Sequence, residues 1–314
     1  MNKVNVLLAS FNGMQFLHAQ ILSITEQDNV NVILFIADDG STDSNFAEID
    51  SFKADGAIKQ IYFIKTLPNQ GVAKVFLSLL AIAILHQDTT ENDLFSFSDE
   101  DDVWHSDKLI KACMAIEIFD QQLPILYGGR TRLVNADLEH IGYSPLFKRL
   151  PSFKNSLVQS LMSGNTMVFN YAAAKVIEPD LNQLLHVSMH DWWAYQIVSG
   201  VGGVVIYDET PFINYRQHGN NLLGANTGFV SLIRRFVRLM RGEYKRLNYV
   251  NIKILHSKVH LLSLENQYSL QYYLLASNAN RHFTKSKYFR LSGVYRQTFA
   301  QNMMMWLACV CKKL

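Results

Sequence analysis

Four consecutive acids, Asp99-Glu100-Asp101-Asp102, stand between the apolar run Leu94-Phe95-Ser96-Phe97-Ser98 and the pair Val103-Trp104. A short apolar run that ends abruptly in carboxylates reads as a buried strand whose end opens on solvent. Adjacent anions repel one another. A chain tolerates them where the site meets a cation, and an oxygen-only cluster suits a hard ion such as Mg2+ or Mn2+. In an extended chain alternate side chains share a face, so Asp99 and Asp101 point the same way. They form one half-shell for a metal whose other ligands would be phosphate oxygens. The competing reading is a solvated acidic turn that also caps a helix starting near Ser106.

Other groups could complete such chemistry. Asp38-Asp39-Gly40-Ser41-Thr42-Asp43 follows a second apolar run. A carboxylate at a strand end can accept a hydrogen bond from a nucleobase or a ribose, although an ordinary Asp-Gly turn has the same composition. His190-Asp191-Trp192-Trp193 opens a helix-like segment. Asp191 could serve as an N-cap, or as a general base for an acceptor hydroxyl with the two indoles as an apolar wall for a sugar ring. Tyr215-Arg216-Gln217-His218-Gly219-Asn220-Asn221 is a polar turn after a strand. There Arg216 could face a diphosphate, and His218 could ligate a metal or simply be solvated. In Ser163-Gly164-Asn165 the glycine would permit close approach of backbone to ligand, or a simple turn.

These groups need elements to hold them. Residues 4–9, 30–37, 58–66 and 93–98 read as strands, alternating with helix-like segments at 14–27, 44–52, 71–86 and 107–121. Such alternation predicts an α/β fold with a mostly parallel sheet and helices on both faces. Ligands of such sheets bind beyond the carboxyl ends of the strands. Each strand end here carries polar punctuation: Ser10-Phe11-Asn12-Gly13, Asp38-Asp39, Pro68-Asn69-Gln70-Gly71 and the acidic run. From about residue 125 the alternation breaks down into strands near 125–129, 166–170 and 204–207. From about 229 the chain reads as helical.

Composition bounds the alternatives. In 314 residues, 49% hydrophobic and 18% charged, there is material for a sizeable core. A net charge of +2 argues against a nucleic-acid coat. Cys113, Cys309 and Cys311 make neither a disulfide framework nor zinc spacing, which fits a reducing cytoplasm. The chain opens on a short strand rather than a leader. The longest nearly apolar run, residues 75–85, falls far short of the roughly 20 residues that span a bilayer. Residues 229–246 carry six Lys and Arg against the single Glu243, with apolar residues at helical spacing. That suits either a helix on an anionic membrane surface or a docked helix with a solvated basic face.

Taken together, these residues resemble the family 2 glycosyltransferases, inverting enzymes with a GT-A fold. Residues 6–13 look like their opening strand, residues 37–43 like their nucleotide-binding strand end, and Asn69-Gln70-Gly71 like the turn before the next helix. Residues 98–104 resemble the Asp-x-Asp strand end of the bacterial rhamnosyltransferase-like branch, in which Glu100 departs from the usual Gln. His190-Asp191-Trp192 and residues 215–221 look like the catalytic-base segment and a late loop. The resemblance covers roughly residues 3–225. It implies a GT-A domain over 1–225, a helical region over 226–314, and a Mg2+ or Mn2+ cofactor.

The resemblance also implies roles. Asp38 and Asp39 would hold the base and ribose of a nucleoside diphosphate sugar, together with Ser10, Asn12, Asn69, Gly71 and Arg216. Asp99 would lie beside the ribose and sugar. Asp101, completed by His218, would bind the metal, and Asp102 would support the site. Asp191 would be the base, and Trp104, Asn165, Trp192 and Trp193 would form the acceptor pocket. The implied donor is dTDP-rhamnose. The implied acceptor is a surface polysaccharide growing on a lipid carrier, handled by a cytoplasmic protein peripheral to the inner face of the membrane. An inactive GT-A-fold sugar-binding protein is the competing reading, and nucleic acid is not an expected partner. A dinucleotide oxidoreductase would need Gly-x-Gly-x-x-Gly after strand one, which Ser10-Phe11-Asn12-Gly13 does not supply.

Overall fold

The computed structural model describes residues 1–43, 60–65, 69–178, 187–217 and 241–311. The chain begins with β1 (Asn2–Ser10), α1 (Met14–Thr25), β2 (Val30–Asp38), β3 (Gln60–Lys65), α2 (Val72–Leu85) and β4 (Leu94–Ser98). Next come β5 (Val103–Trp104), α3 (Lys108–Glu117), β6 (Ile125–Gly129), β7 (Arg132–Val134) and β8 (His140–Tyr143). The short α4 (Phe153–Ser156), a 3-10 turn (Gly164–Thr166), β9 (Val168–Asn170), α5 (Tyr171–Ile177) and α6 (His190–Gly200) follow, then β10 (Val204–Asp208) and β11 (Ile213–Arg216). The C-terminal region is helical: α7 (Glu243–Ser257), α8 (Leu264–Asn278), α9 (His282–Ser292) and α10 (Phe299–Val310). The helix expected at 44–52 lies outside the described residues.

The main sheet has the order β10-β6-β9-β4-β1-β2-β3 and is parallel except for β9, which runs antiparallel to both β4 and β6. Its central strands are buried on both faces while the edge strands β3 and β10 are half-buried, so alternate residues feed two cores. Leu7, Phe35, Ala37, Phe95 and Phe97 pack on one side with α2 and α6. Val6, Leu8, Leu34 and Ile36 pack on the other with α1 and α3. Ile252, Leu255, Leu270, Phe289 and Met305 of the C-terminal helices join the first of these cores.

Register sets the site. Ser10 is level with Asp38, and Leu8 is level with Ser98, so the polar ends of three strands finish at one height. A second sheet, β5-β11-β7-β8, stands beside them. The acidic run is the bridge between the two sheets, leaving β4 at Ser98 and entering β5 at Val103. The sequence pattern places a strand over 166–170; its first turn is instead 3-10, and pairing begins at Val168.

Candidate functional site

The carboxylates of Asp99, Asp101 and Asp102 each offer an oxygen within 4.8 Å of the others. Their environments differ. Asp102 is fully buried and spoken for: it accepts the Asn165 amide and, at 3.2 Å, the backbone N–H of Arg216. Burial, reinforced by the charge of Asp101, pushes its pKa up to about 8 despite those donors. Asp99 is pushed well above the usual carboxylate range, by burial first and then by the charges of Asp101, Asp102, Asp191 and Glu100. Neighbouring anions that push the Asp99 carboxyl toward its neutral form are what a divalent cation relieves, so the donor set fits a hard metal through Asp99 and Asp101.

Asp191 stands in the first turn of α6, within electrostatic reach of Asp99. Its carboxylate accepts the Trp192 N–H at 2.7 Å, yet burial raises its pKa to about 6. His190 beside it stacks on Phe76 at 4.1 Å and meets Phe97 edge-on at 4.9 Å. Its Nε2 has no hydrogen-bond partner, and burial lowers its pKa to about 3, so it is neutral. A Cβ on Gly164 would come within 2.3 Å of that nitrogen, and the glycine therefore leaves room for the ring. Nothing in the sequence signals this fit beyond the small pair Ser163-Gly164.

The strand ends of β1 and β2 are stitched together. Asn12 sits at φ 55°, a conformation Asn tolerates, and its Oδ1 accepts the N–H of Thr42 at 2.9 Å. Its own N–H donates to the Ser41 hydroxyl at 2.9 Å, and Asp38 accepts from both the N–H and the hydroxyl of Ser41. Asp39 accepts the N–H groups of Gln70 and Gly71 at 2.8 and 2.9 Å, which pins the turn before α2. Gly71 takes φ 87°, with Asn69 exposed nearby. The structure thus gathers Ser10, Asn12, Asp38, Asp39, Asn69 and Gly71 at one edge.

Glu100 joins this loop to the acidic bridge. Its carboxylate accepts the Phe11 N–H at 2.8 Å and bonds the Ser10 side chain. Burial raises its pKa to about 7. A Cβ on Gly13 would stand 2.0 Å from its carboxyl carbon. The acid that departs from the family pattern is therefore a clamp on the loop.

The remaining expected site residues are placed differently. Arg216 is buried; its Nε donates to the Asp101 carbonyl at 2.9 Å, its NH1 donates to the Ala136 carbonyl, and its guanidinium lies 4.7 Å over Phe16. Asn165 is fully enclosed beneath Asp102. A flat wall for a sugar needs open faces, but Trp104, Trp192 and Trp193 are all buried. Trp192 and Trp193 donate their indole N–H groups to Ser156 and Ile177 carbonyls, and the Lys108 ammonium covers Trp104 at 3.2 Å. His218 lies outside the described residues.

No protein-family model matches the chain. Among curated proteins it is similar to the dTDP-rhamnosyl transferase RfbG of Shigella flexneri, 27% identical over 256 residues, 78% of this chain and 80% of that one. Among solved structures it is similar to Staphylococcus aureus TarS (residues 1–349) in complex with UDP, with a TM-score of 0.58 and 12% identity over 99% of this chain and 89% of the other. It is also similar to the mannosyltransferase PcManGT of Pyrobaculum calidifontis in complex with GDP-Man and Mn2+, with a TM-score of 0.51 and 12% identity over 99% and 85%. A mostly parallel sheet with acidic strand ends along one edge is the architecture of the GT-A glycosyltransferases. The chain has the fold of that class, and its similarity to the Shigella transferase runs over most of both chains.

Two outcomes follow from this geometry. Gly13→Ala should destabilise the protein by about 1–3 kcal/mol in urea unfolding, and by much less in a Glu100→Ala background, because the overlap is with that side chain. Equal losses in both backgrounds would remove Glu100 as the clamp. The second outcome concerns pH. Glu100 and Asp102 have folded pKa values of about 7 and about 8, above their ordinary 4.5 and 3.8. The folded state therefore holds protons that the unfolded chain has lost, and stability from these groups falls as pH rises toward 8. His190 acts oppositely, but its contribution is complete above its ordinary 6.5. Metal-free protein should lose thermal stability between about pH 6.5 and 8, and Mn2+ should restore more of it at pH 8 than at pH 6. A Mn2+ effect independent of pH would contradict the assignment.

Proposed function

We propose that this protein transfers a sugar, with inversion, from a nucleoside diphosphate donor to a saccharide hydroxyl. The leading donor is dTDP-rhamnose, and the acceptor is a surface polysaccharide growing on a lipid carrier. The observation that carries the reading is the pairing of Asp99 and Asp101, with Asp191 in electrostatic reach of Asp99: burial and the neighbouring charges raise the Asp99 pKa, and burial raises that of Asp191 to about 6. The name of the Shigella relative supports rhamnose and dTDP. The Mn2+ in the mannosyltransferase complex supports a metal.

In this reading residues 1–225 form the catalytic unit, and the loop holding Ser10, Asn12, Asp38, Asp39, Asn69 and Gly71 receives the nucleotide. Asp99 and Asp101 would hold Mg2+ or Mn2+. Such an ion supplies charge neutralisation for the departing diphosphate. Asp191 accepts the proton of the acceptor hydroxyl as that oxygen attacks the anomeric carbon from the side opposite the diphosphate. The C–O bond to the acceptor forms as the bond to the phosphate oxygen breaks. A pKa near 6 keeps Asp191 ionised at neutral pH while leaving it a stronger base than an ordinary carboxylate. Holding donor and acceptor together removes part of the barrier, roughly 7–11 kcal/mol at best.

The deciding measurement offers a panel of nucleotide sugars with Mn2+ and with EDTA. Transfer or slow donor hydrolysis should occur with dTDP-rhamnose and vanish on chelation. Silence with every donor would favour an inactive sugar-binding protein. Asp191→Asn should lower transfer by about 10²–10⁴-fold while donor affinity stays within a few-fold. In the unmodified enzyme kcat/KM should fall about tenfold per pH unit below about pH 6, where Asp191 takes up its proton. Full turnover in Asp191→Asn would remove it as the base.

A further inference from the structure

The last helix presents an unusual surface. α10 (Phe299–Val310) contains no charged residue. One side, Met305, Ala308 and Cys309, is buried in the core shared with the catalytic unit. The opposite side is also apolar: Phe299 is 82% exposed, and Met303, Trp306 and Leu307 are each exposed by more than two-fifths. Their spacing of 4, 3 and 1 residues places them on one helical stripe. The preceding helix α9 (His282–Ser292) runs antiparallel to it, with the His282 ring 3.0 Å from the Val310 carbonyl oxygen. Its outer residues repeat the same spacing: Phe283, 84% exposed, then Lys287, Arg290 and Leu291.

An apolar helix with one face in the protein and one in water needs something over the second face. Charge identifies what. After Glu265 the sequence contains no Asp or Glu and seven Lys and Arg, in a chain whose net charge is only +2. A second copy of this chain would bring a basic region against a basic region. An anionic bilayer would not: its headgroups attract the cations while its acyl boundary takes the Phe, Leu and Trp side chains. At 12 residues α10 is about 18 Å long, too short to cross a hydrocarbon core of about 30 Å. It can therefore lie along the surface. Among the described residues no helix is long and apolar enough to span a membrane.

We infer that the α9–α10 hairpin is a monotopic docking surface for an anionic phospholipid bilayer, with Phe283, Phe299 and Trp306 entering the interface. This assigns the contact to an element other than residues 229–246. It is independent of the donor assignment, because an enzyme silent with every nucleotide sugar would still bind lipid. Trp306 supplies a built-in probe, since Trp104, Trp192 and Trp193 are buried.

The test uses the full chain with phosphatidylcholine vesicles, with and without about 30% phosphatidylglycerol. Binding should require the anionic lipid and weaken at high salt. Tryptophan emission should shift to the blue and be quenched by brominated acyl chains. The exposed double variant Phe299→Ser/Trp306→Ser, checked for native circular dichroism, should partition at least about tenfold less well. Lys287→Gln/Arg290→Gln should weaken binding without altering the emission of free protein. Failure to bind anionic vesicles would overturn the inference. So would binding unchanged in both variants, which would point to residues 229–246, or lipid-free self-association that the Phe299/Trp306 variant abolishes.

Discussion

The site hangs on one buried carboxylate. Asp102 has no exposed surface, yet it sits where the chain leaves the large sheet for the small one. It accepts the amide of Asn165 from the 3-10 turn before β9 and the N–H of Arg216 at the end of β11. A buried carboxylate is tolerated only when such donors satisfy it, and removal of one donor leaves an uncompensated polar group. Three separate segments are therefore locked at one point. Arg216 reinforces the joint by donating to the Asp101 carbonyl. With Asp102 committed inward, Asp99 and Asp101 are the pair positioned to meet a ligand.

That arrangement sets stability against function. Several carboxylates share a small, poorly solvated space, and the protein holds protons on them rather than separate them. Its own burial in the same region gives Asp191 a pKa near 6 rather than near 4. An isolated surface acid would be stable and weakly basic. The cluster is strained and chemically useful, a common bargain at functional sites.

The strand ends were legible in the sequence because a parallel sheet with period-two burial brings its carboxyl ends level. Ser10 opposite Asp38 and Leu8 opposite Ser98 are the physical form of that inference. The direction of individual side chains was not legible. Trp192, Trp193, Asn165 and Arg216 are polar or amphipathic residues near a site, and nothing in their spacing says that each turns inward to satisfy a backbone or carboxylate partner. The clamp by Glu100 was hidden for a related reason. It depends on the absence of a side chain at Gly13, three residues into a loop from a different strand. Adjacent residues reveal motifs, whereas fits between distant segments emerge only with the fold.

His190 shows how such a fit can tune chemistry without touching a substrate. Protonated, it would place a cation next to Asp191 and draw its pKa down. Phe76 and Phe97 enclose the ring and Gly164 admits its unpartnered Nε2, so the charged form has no solvation and the ring stays neutral. The helix N-terminus and the Trp192 N–H still favour the Asp191 anion, but burial outweighs them. The proposed base, Asp191, is thus kept strong by withholding a neighbouring charge. The aromatic cage that does so rests on α2 and on β4, the strand that leads into the acidic run.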